Sequence, residues 1–194
     1  MKAGKNGVTT NTPKNILFGA GTIHKGLKHV DGEWNFDTSI VGATSGGSKL
    51  SIVPEITPVE VDGAYVTVKG LQVKTGETAT MEVNFIELST DIIKTAVIGA
   101  DDTENAVDGY DVIKSKSDIQ EGDYWENIAF VGKTLDGRNI IAILDNALCT
   151  SGLELEGKSK EAGVGAFAFS SHADIDADTD LDTLPWRIYY PKAV

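Results

Sequence analysis

Hydrophobic and polar residues alternate along most of this chain with the period of two that a half-buried β-strand requires. The alternation is densest over residues 57–85, TPVEVDGAYVTVKGLQVKTGETATMEVNF. Asp62-Gly63 splits that run at a two-residue hairpin signal, because both central positions of a type I′ turn need φ > 0, which Asp and Gly tolerate. Such a turn sets Val61 opposite Ala64, Val59 opposite Val66 and Thr57 opposite Val68. A second, weaker turn signal at Thr75-Gly76 sets Val68 opposite Val83, Val66 opposite Phe85 and Gly70 opposite Met81. Together the two turns predict a three-stranded antiparallel meander with one apolar face. Its reverse face collects Glu60, Tyr65, Thr67, Lys69, Glu82 and Asn84, with Lys69 and Glu82 opposed as a cross-strand charge pair.

On either side of this run the pattern is less regular. Residues 1–15, MKAGKNGVTTNTPKN, have no hydrophobic period and read as a flexible N-terminal arm, which leaves residues 16–194 as a single domain. Residues 16–18 and 22–28 predict two short strands joined by a turn at Gly19-Ala20-Gly21. From 30 to 48 the alternation dissolves into a long loop, with turn signals at Asp31-Gly32 and Gly46-Gly47. Trp34 and Phe36 stand in this otherwise polar loop; large aromatics there either dock on their own domain or anchor an interface. Leu50 and Ile52 predict a strand feeding the meander. Ser89-Thr90-Asp91 offers an N-cap and an acidic first turn for a short helix over about 90–98, with Ile92, Ile93, Ala96 and Val97 as its apolar stripe and Gly99 closing it. Asp136-Gly137 is a second strong hairpin signal, between 126–134 and 139–148. A two-residue turn there pairs Phe130 with Ile143 and Gly132 with Ile141 on one face, and Val131 with Ala142 and Ala129 with Leu144 on the other. Both faces are apolar, so these strands are expected to be central or covered on both sides. Residues 110–115, 164–170 and 186–190 predict further strands, and 153–160 is a charged amphipathic segment. The fold expected is mainly β (α+β), with two packed antiparallel sheets, sandwich-like or barrel-like, flanked by one short helix.

Composition narrows the functional classes. A chain of 194 residues with 41% hydrophobic content can bury roughly 70% of its unfolded surface in one core. The formal net charge of −12 argues against a protein that holds nucleic acid by neutralising phosphates. The single cysteine, Cys149, lies beside an apolar run and reads as a small buried hydrophobe, without an intramolecular disulfide. The N-terminal segment has no apolar signal core, and no stretch approaches the ~18 apolar residues of a membrane span. A soluble protein made without Sec-type export and without a membrane partner is expected. Catalytic signatures are missing from the pattern. Gly19-Ala20-Gly21 would need a third glycine where His24 stands. His24, His29 and His172 lack the spacing and partners of a zinc site, and no nucleophile elbow occurs. The aspartates at 174, 176, 178, 180 and 182 alternate, but an EF-hand reading from Asp174 places Thr179 and Pro185 where Gly and Glu are required. A solvated acidic loop follows, and the expectation is a protein that is not an enzyme and holds no cofactor or metal.

The run 41–88 followed by the helical STDIIKTAVIGA resembles the major tail tube proteins of long-tailed bacteriophages, siphovirus-like or of related prophage tails. The resemblance is carried by G-x-T-x-G-G at 42–47, P-E-I at 54–56, V-D-G-A at 61–64, K-G-L at 69–71 and the placing of the helix after the third strand. NILFGAGTIHKG at 15–26 is similar to the usual start of such proteins. It covers the chain to about residue 100. Membership would imply subunits in hexameric rings, stacked into a hollow tube that conducts DNA during ejection. It would also imply a virion location after assembly in the bacterial cytoplasm. The partners implied are the protein itself together with tape-measure, tail terminator and distal tail proteins. Glu60, Tyr65, Thr67, Lys69, Glu82 and Asn84 then become candidate lumen-facing residues, and Trp34 and Phe36 candidate inter-ring contacts. A negatively charged wall would keep DNA from adhering as it passes. A β-sandwich adhesion or ligand-binding module explains the strands and aromatics equally well; it predicts saturable binding of a glycan or small ligand and no polymerisation.

Overall fold

The computed structural model describes residues 7–155, 159–160, 162–175 and 181–192, and the long apolar alternations among them form strands. In chain order the elements are α1 (Thr12–Asn15), β1 (Leu17–Lys25), β2 (His29–Val30), β3 (Glu33–Trp34), α2 (Phe36–Ser39), β4 (Thr44–Pro58), β5 (Gln72–Phe85), α3 (Thr90–Val97), β6 (Ala100–Asp101), β7 (Ile113–Lys114), a 3-10 turn (Glu121–Asp123), β8 (Trp125–Thr134), β9 (Asn139–Cys149), β10 (Gly165–Ser171) and β11 (Trp186–Tyr189). One antiparallel sheet runs β1-β8-β9-β10-β5-β4, while β11 shares the outer edge of β9 with β10. The sheet curls until its first and last strands, β1 and β4, lie against each other. Val41 donates its N–H to the Ile23 carbonyl at 3.0 Å across that closure. The result is the mainly β, α+β fold expected from the sequence, but built on one large curled antiparallel sheet where two packed sheets were expected.

Curling lets alternate side chains of both halves meet. Ala79, Met81, Val83 and Phe85 of β5 and Phe167 and Phe169 of β10 form one buried cluster with Ile23, Trp125, Ile128, Leu144, Ala147 and Cys149. Helix α3 closes it with Ile92 and Ala96, four residues apart and therefore on one face. Ser89 caps this helix by accepting the Ile92 N–H. The Trp125 indole N–H reaches Thr95 Oγ1 at 3.1 Å, and Lys25 lies over the Trp125 ring at 4.6 Å while binding Asp91 at 2.6 Å. A smaller cluster, Leu27, Ala129, Val131, Ile141 and Ile143, fills the opposite face of β8 and β9. These central strands are thus covered on both sides, as their doubly apolar pattern requires.

Four local expectations are corrected. The 57–85 meander does not form: β4 runs through Pro54 to Pro58 and pairs directly with β5, Thr57 opposite Val73 and Leu50 opposite Met81. Pro54 and Pro58 are tolerated because β4 is an edge strand. Thr75-Gly76 is no turn; it lies within β5 at a register shift opposite Glu55 and Ile56. Asp62-Gly63 does turn, with the Ala64 N–H on the Val61 carbonyl at 3.0 Å. Gly63 is at φ +87° while Asp62 stays at negative φ, so the turn lacks the type I′ twist that would hold two strands together.

The Gly19-Ala20-Gly21 turn is likewise replaced, by a bulge inside a continuous β1: residues 19–21 together oppose Gly132. In the β8–β9 hairpin Phe130 pairs with Ala142 and Val131 with Ile141, one residue away from expectation. Thr134 and Arg138 close a three-residue loop in which Gly137 is at φ +87°, the bulged hairpin form rather than the two-residue one. Finally, Ile98 rather than Gly99 takes the left-handed position ending α3, at φ 49°. Gly99 is small because a Cβ there would lie 2.6 Å from Ile113.

The 30–48 loop is more ordered than its composition suggests, holding the β2–β3 ribbon, α2 and the start of β4. Of the N-terminal arm, residues 12–15 form one helical turn and residues 1–6 lie outside the described residues. So do 156–158 of the charged segment and 176–180 of the acidic loop.

Candidate functional site

Two surfaces stand out, and both belong to the β4–β5 hairpin. Strand β10 leaves β5 after the Ser170–Thr80 pair, and beyond that point the hairpin runs on as a two-stranded arm. Every residue from Val53 to Gly70 is exposed. At a strand rise of ~3.3 Å the six residues 72–77 alone carry the arm roughly 20 Å. Its tip, 59–71, is irregular, pinned by Val59 N–H to Leu71 C=O at 2.7 Å and by turns at Asp62-Gly63 and Lys69-Gly70. Apolar side chains crowd it: Tyr65 is 97% exposed and Val66 78%, with Val59, Val61 and Val68 beside them. Glu60, Thr67 and Lys69 share this tip, where Lys69 is far from Glu82.

Glu77 braces the arm at its root. Its side chain, almost enclosed, accepts from Lys74 Nζ at 2.5 Å and from the Leu184 N–H at 2.7 Å. The Lys74 hydrogen bond, then the Leu184 N–H, hold its pKa below the usual glutamate value. A depressed carboxylate contributes while ionised, so this brace is complete above the ordinary glutamate range and is lost as the pH falls through its lower folded value.

The second surface is the outward face of β4, β5 and β10. Met81, Val83 and Phe85 point into the core, and Glu82 and Asn84 point out, as their alternation dictates. The neighbours complete short polar rows: Ser51–Thr80–Ser170, and Lys49–Glu82–Ala168 with Lys49 Nζ 2.8 Å from Glu82 Oε1. Of the six residues placed on one reverse face by sequence, only Glu82 and Asn84 share this one. The other four belong to the arm tip. Lys49, Ser51, Thr80 and Ser170 were missed; the β5 alternation predicts Thr80, but only the long-range pairing brings the rest beside it. Glu82→Lys sets two lysines opposite one another on an exposed face. The expected cost is about 0.5–1 kcal/mol in urea unfolding with the circular dichroism spectrum unchanged. A loss above about 2 kcal/mol would mean that the pair is structural.

Trp34 and Phe36 dock on their own domain. They pack against the Leu27–Ile143 cluster, stack on each other at 6.3 Å and 22°, and Trp34 meets Tyr189 edge-on at 5.0 Å. Asn35 between them holds the segment by accepting the Lys28 N–H at 2.7 Å and donating to the Gly26 carbonyl at 3.2 Å. The edge of Trp34 opens with Tyr189 and His29 on a shallow cleft that also contains Lys28, Glu126, Asp145 and Arg187.

The titratable groups elsewhere serve the fold. Asp102 accepts from Asn105 Nδ2 at 2.6 Å and from Lys114 at 3.2 Å, and these bonds, the Asn105 one foremost, hold it down to about 2. Asp145 is pushed up by burial, against the pull of Arg187. No group of three or more His, Cys, Asp or Glu side chains among the described residues could hold a metal ion, and no described helix is long and apolar enough to cross a membrane. Neither a known protein family nor a curated protein matches the chain.

Proposed function

We propose that this protein is a self-assembling structural subunit, forming stacked six-membered rings that make the hollow tail tube of a long-tailed bacteriophage. The observation that carries the reading is the arm. A two-stranded hairpin is marginal in water, and a tip that leaves Tyr65 and Val66 almost fully in solvent favours a partner that covers it. A second copy of the chain is the partner a homopolymer supplies, and a heterologous contact repeated along an axis gives an open-ended tube. The sheet formed by β4, β5 and β10 suits the wall: one face is core, and the other carries Ser, Thr, Ala, Asn and one compensated charge pair. Such a face offers DNA no cluster of cations, and the net charge of −12 keeps the polyanion from adhering. In this reading Glu82 and Asn84 face the lumen, while the tip residues Glu60, Tyr65, Thr67 and Lys69 make contacts between rings. Tape-measure, terminator and distal tail proteins would bound the tube, DNA would pass without specific binding, and the assembled protein would reside in the virion.

Electron microscopy of the purified protein over a concentration series, with sedimentation velocity alongside, tests the proposal. Tubes or stacked rings with a central channel are expected. Monomers that persist at every concentration and do not copolymerise with tail proteins would sink it. If those monomers bound a glycan saturably, the ligand-binding reading would replace it.

A further inference from the structure

His24 is the one histidine among the described residues that is fully enclosed, with 1% of its surface exposed, and its two partners are hydroxyls. Nε2 lies 2.8 Å from Thr22 Oγ1 on β1, and Nδ1 lies 2.9 Å from Ser39 Oγ on α2. Ser39 is itself buried and donates its hydroxyl proton to the Asn35 carbonyl at 2.8 Å. Nδ1 must therefore carry the ring proton and donate to Ser39, which leaves Nε2 to accept from Thr22. Phe36 closes over the ring edge-on at 5.7 Å. One neutral tautomer thus ties α2 to β1, at the end of the segment 26–41 that brings Trp34 and Phe36 onto the sheet.

We propose that His24 is an acid-sensitive latch: protonation of its ring puts an uncompensated charge into the enclosed Thr22–His24–Ser39 chain and releases the 26–41 flap from the outer face of the sheet. A second proton puts an N–H against the Thr22 hydroxyl. That hydroxyl must then turn its own proton to the Val131 carbonyl, at a distant 3.5 Å. The new charge stands beside Phe36 with hydroxyl partners only. The charged groups lining the adjoining cavity of about 550 Å³ are Asp37 of α2 and Lys133 of β8, of opposite sign. On β1 itself Lys25 is committed to Asp91. Burial accordingly lowers the pKa of His24 from its ordinary value. A lowered histidine favours the docked flap while neutral: docking is complete above the ordinary value near 6.5 and weakens as the pH falls below it, by up to about tenfold per pH unit until the folded value is passed. The flap opens from its latched end: there the backbone ties are the His24–Ile40 bridge and the Val41 N–H on Ile23 and the apolar hold is Trp34, Phe36 and Val41, whereas at its start Leu27 is buried and both its backbone groups bind the Asn127 side chain.

Hydrogen exchange of the whole protein, corrected for intrinsic rates, at pH 7.5, 6.5, 5.5 and 5.0 reads this directly. Peptides covering 26–41 are expected to lose protection progressively between pH 6.5 and 5.0, by at most about tenfold per pH unit, while those covering 125–149 keep theirs. His24→Gln should abolish the pH dependence, and His29→Gln, on the exposed ribbon where it trims only an edge-on contact with Trp34, should retain it. Ser39→Ala should expose the flap already at pH 7.5. The imidazole nitrogen shifts of the unmodified protein give the answer even if His24→Gln fails to fold, since His24 must gain its proton over the same range in which the flap opens. Unchanged protection of 26–41 down to pH 5.0, opening that persists in His24→Gln, or opening while the His24 ring stays neutral would each overturn the latch.

Discussion

Phe169→Ala is expected to cost about 3–5 kcal/mol of folding stability, the upper range for a large-to-small change in a core. Phe169 sits where the curled sheet changes partners: on β10 it pairs with Met81 of β5 on one side and with Cys149 of β9 on the other. Its ring is 1% exposed and lies 4.7 Å from that of Trp125 on β8. Truncation opens a void at the junction through which both halves of the sheet share a core, and rigid strands on either side cannot collapse into it. For a domain of ordinary stability, about 5–15 kcal/mol, this removes a third or more of the total. Urea titration should show the midpoint falling with the slope unchanged. Phe18→Ala supplies the contrast, because that ring is 66% exposed and its loss should cost less than about 1 kcal/mol. Similar costs for the two would mean that β10 does not join the halves in the way described.

The local alternation within each strand was legible, and the partners were not. TATMEVNF assigns Met81, Val83 and Phe85 inward and Glu82 and Asn84 outward without any knowledge of what lies alongside. Whether Glu82 meets Lys69 or Lys49 depends on a turn 20 residues away, and two valine-rich runs joined by Asp-Gly read equally well as paired strands or as a frayed tip. The difference is made by the sign of φ at Asp62, which composition does not specify. The β8–β9 hairpin failed by a single residue for a similar reason: Thr134 can bond Arg138 through both its N–H and its side chain, and this draws Leu135 into the loop. A one-residue slip exchanges cross-strand partners, yet here both faces are apolar, so the core was predicted correctly from the wrong pairing. Gly-rich 19–21 and 45–47 looked like turns because bulges use the same residues; in each case three residues oppose one, Gly132 and Asn84 respectively.

The docking of Trp34 and Phe36 was one of two readings open to the sequence. The structure chooses it through Asn35, whose side chain and backbone close the segment on itself. That choice moves weight from the aromatics to the arm as the surface for assembly, and it is the arm that a truncation isolates. Ile56 and Lys74 are cross-strand partners, so replacing residues 57–73 by Asn-Gly rejoins the hairpin through a two-residue turn of the favoured kind.

The shortened protein is expected to fold with its thermal midpoint within a few degrees of the parent, because the removed residues are almost all exposed and the brace from Glu77 to Leu184 is retained. It should remain monomeric at concentrations where the parent assembles. A gentler double change, Tyr65→Ser with Val66→Ser, keeps the arm and removes only its apolar tip. Burying two such side chains is worth about 1.5–3 kcal/mol each, so the critical concentration for assembly should rise at least about 100-fold. Assembly of the shortened protein at the parent's concentration would show that the arm is not the contact and that the rings, if they form, are held by the sheet edges β1 and β4. A monomeric parent would instead remove the tube itself, and the two failures are told apart by that one comparison.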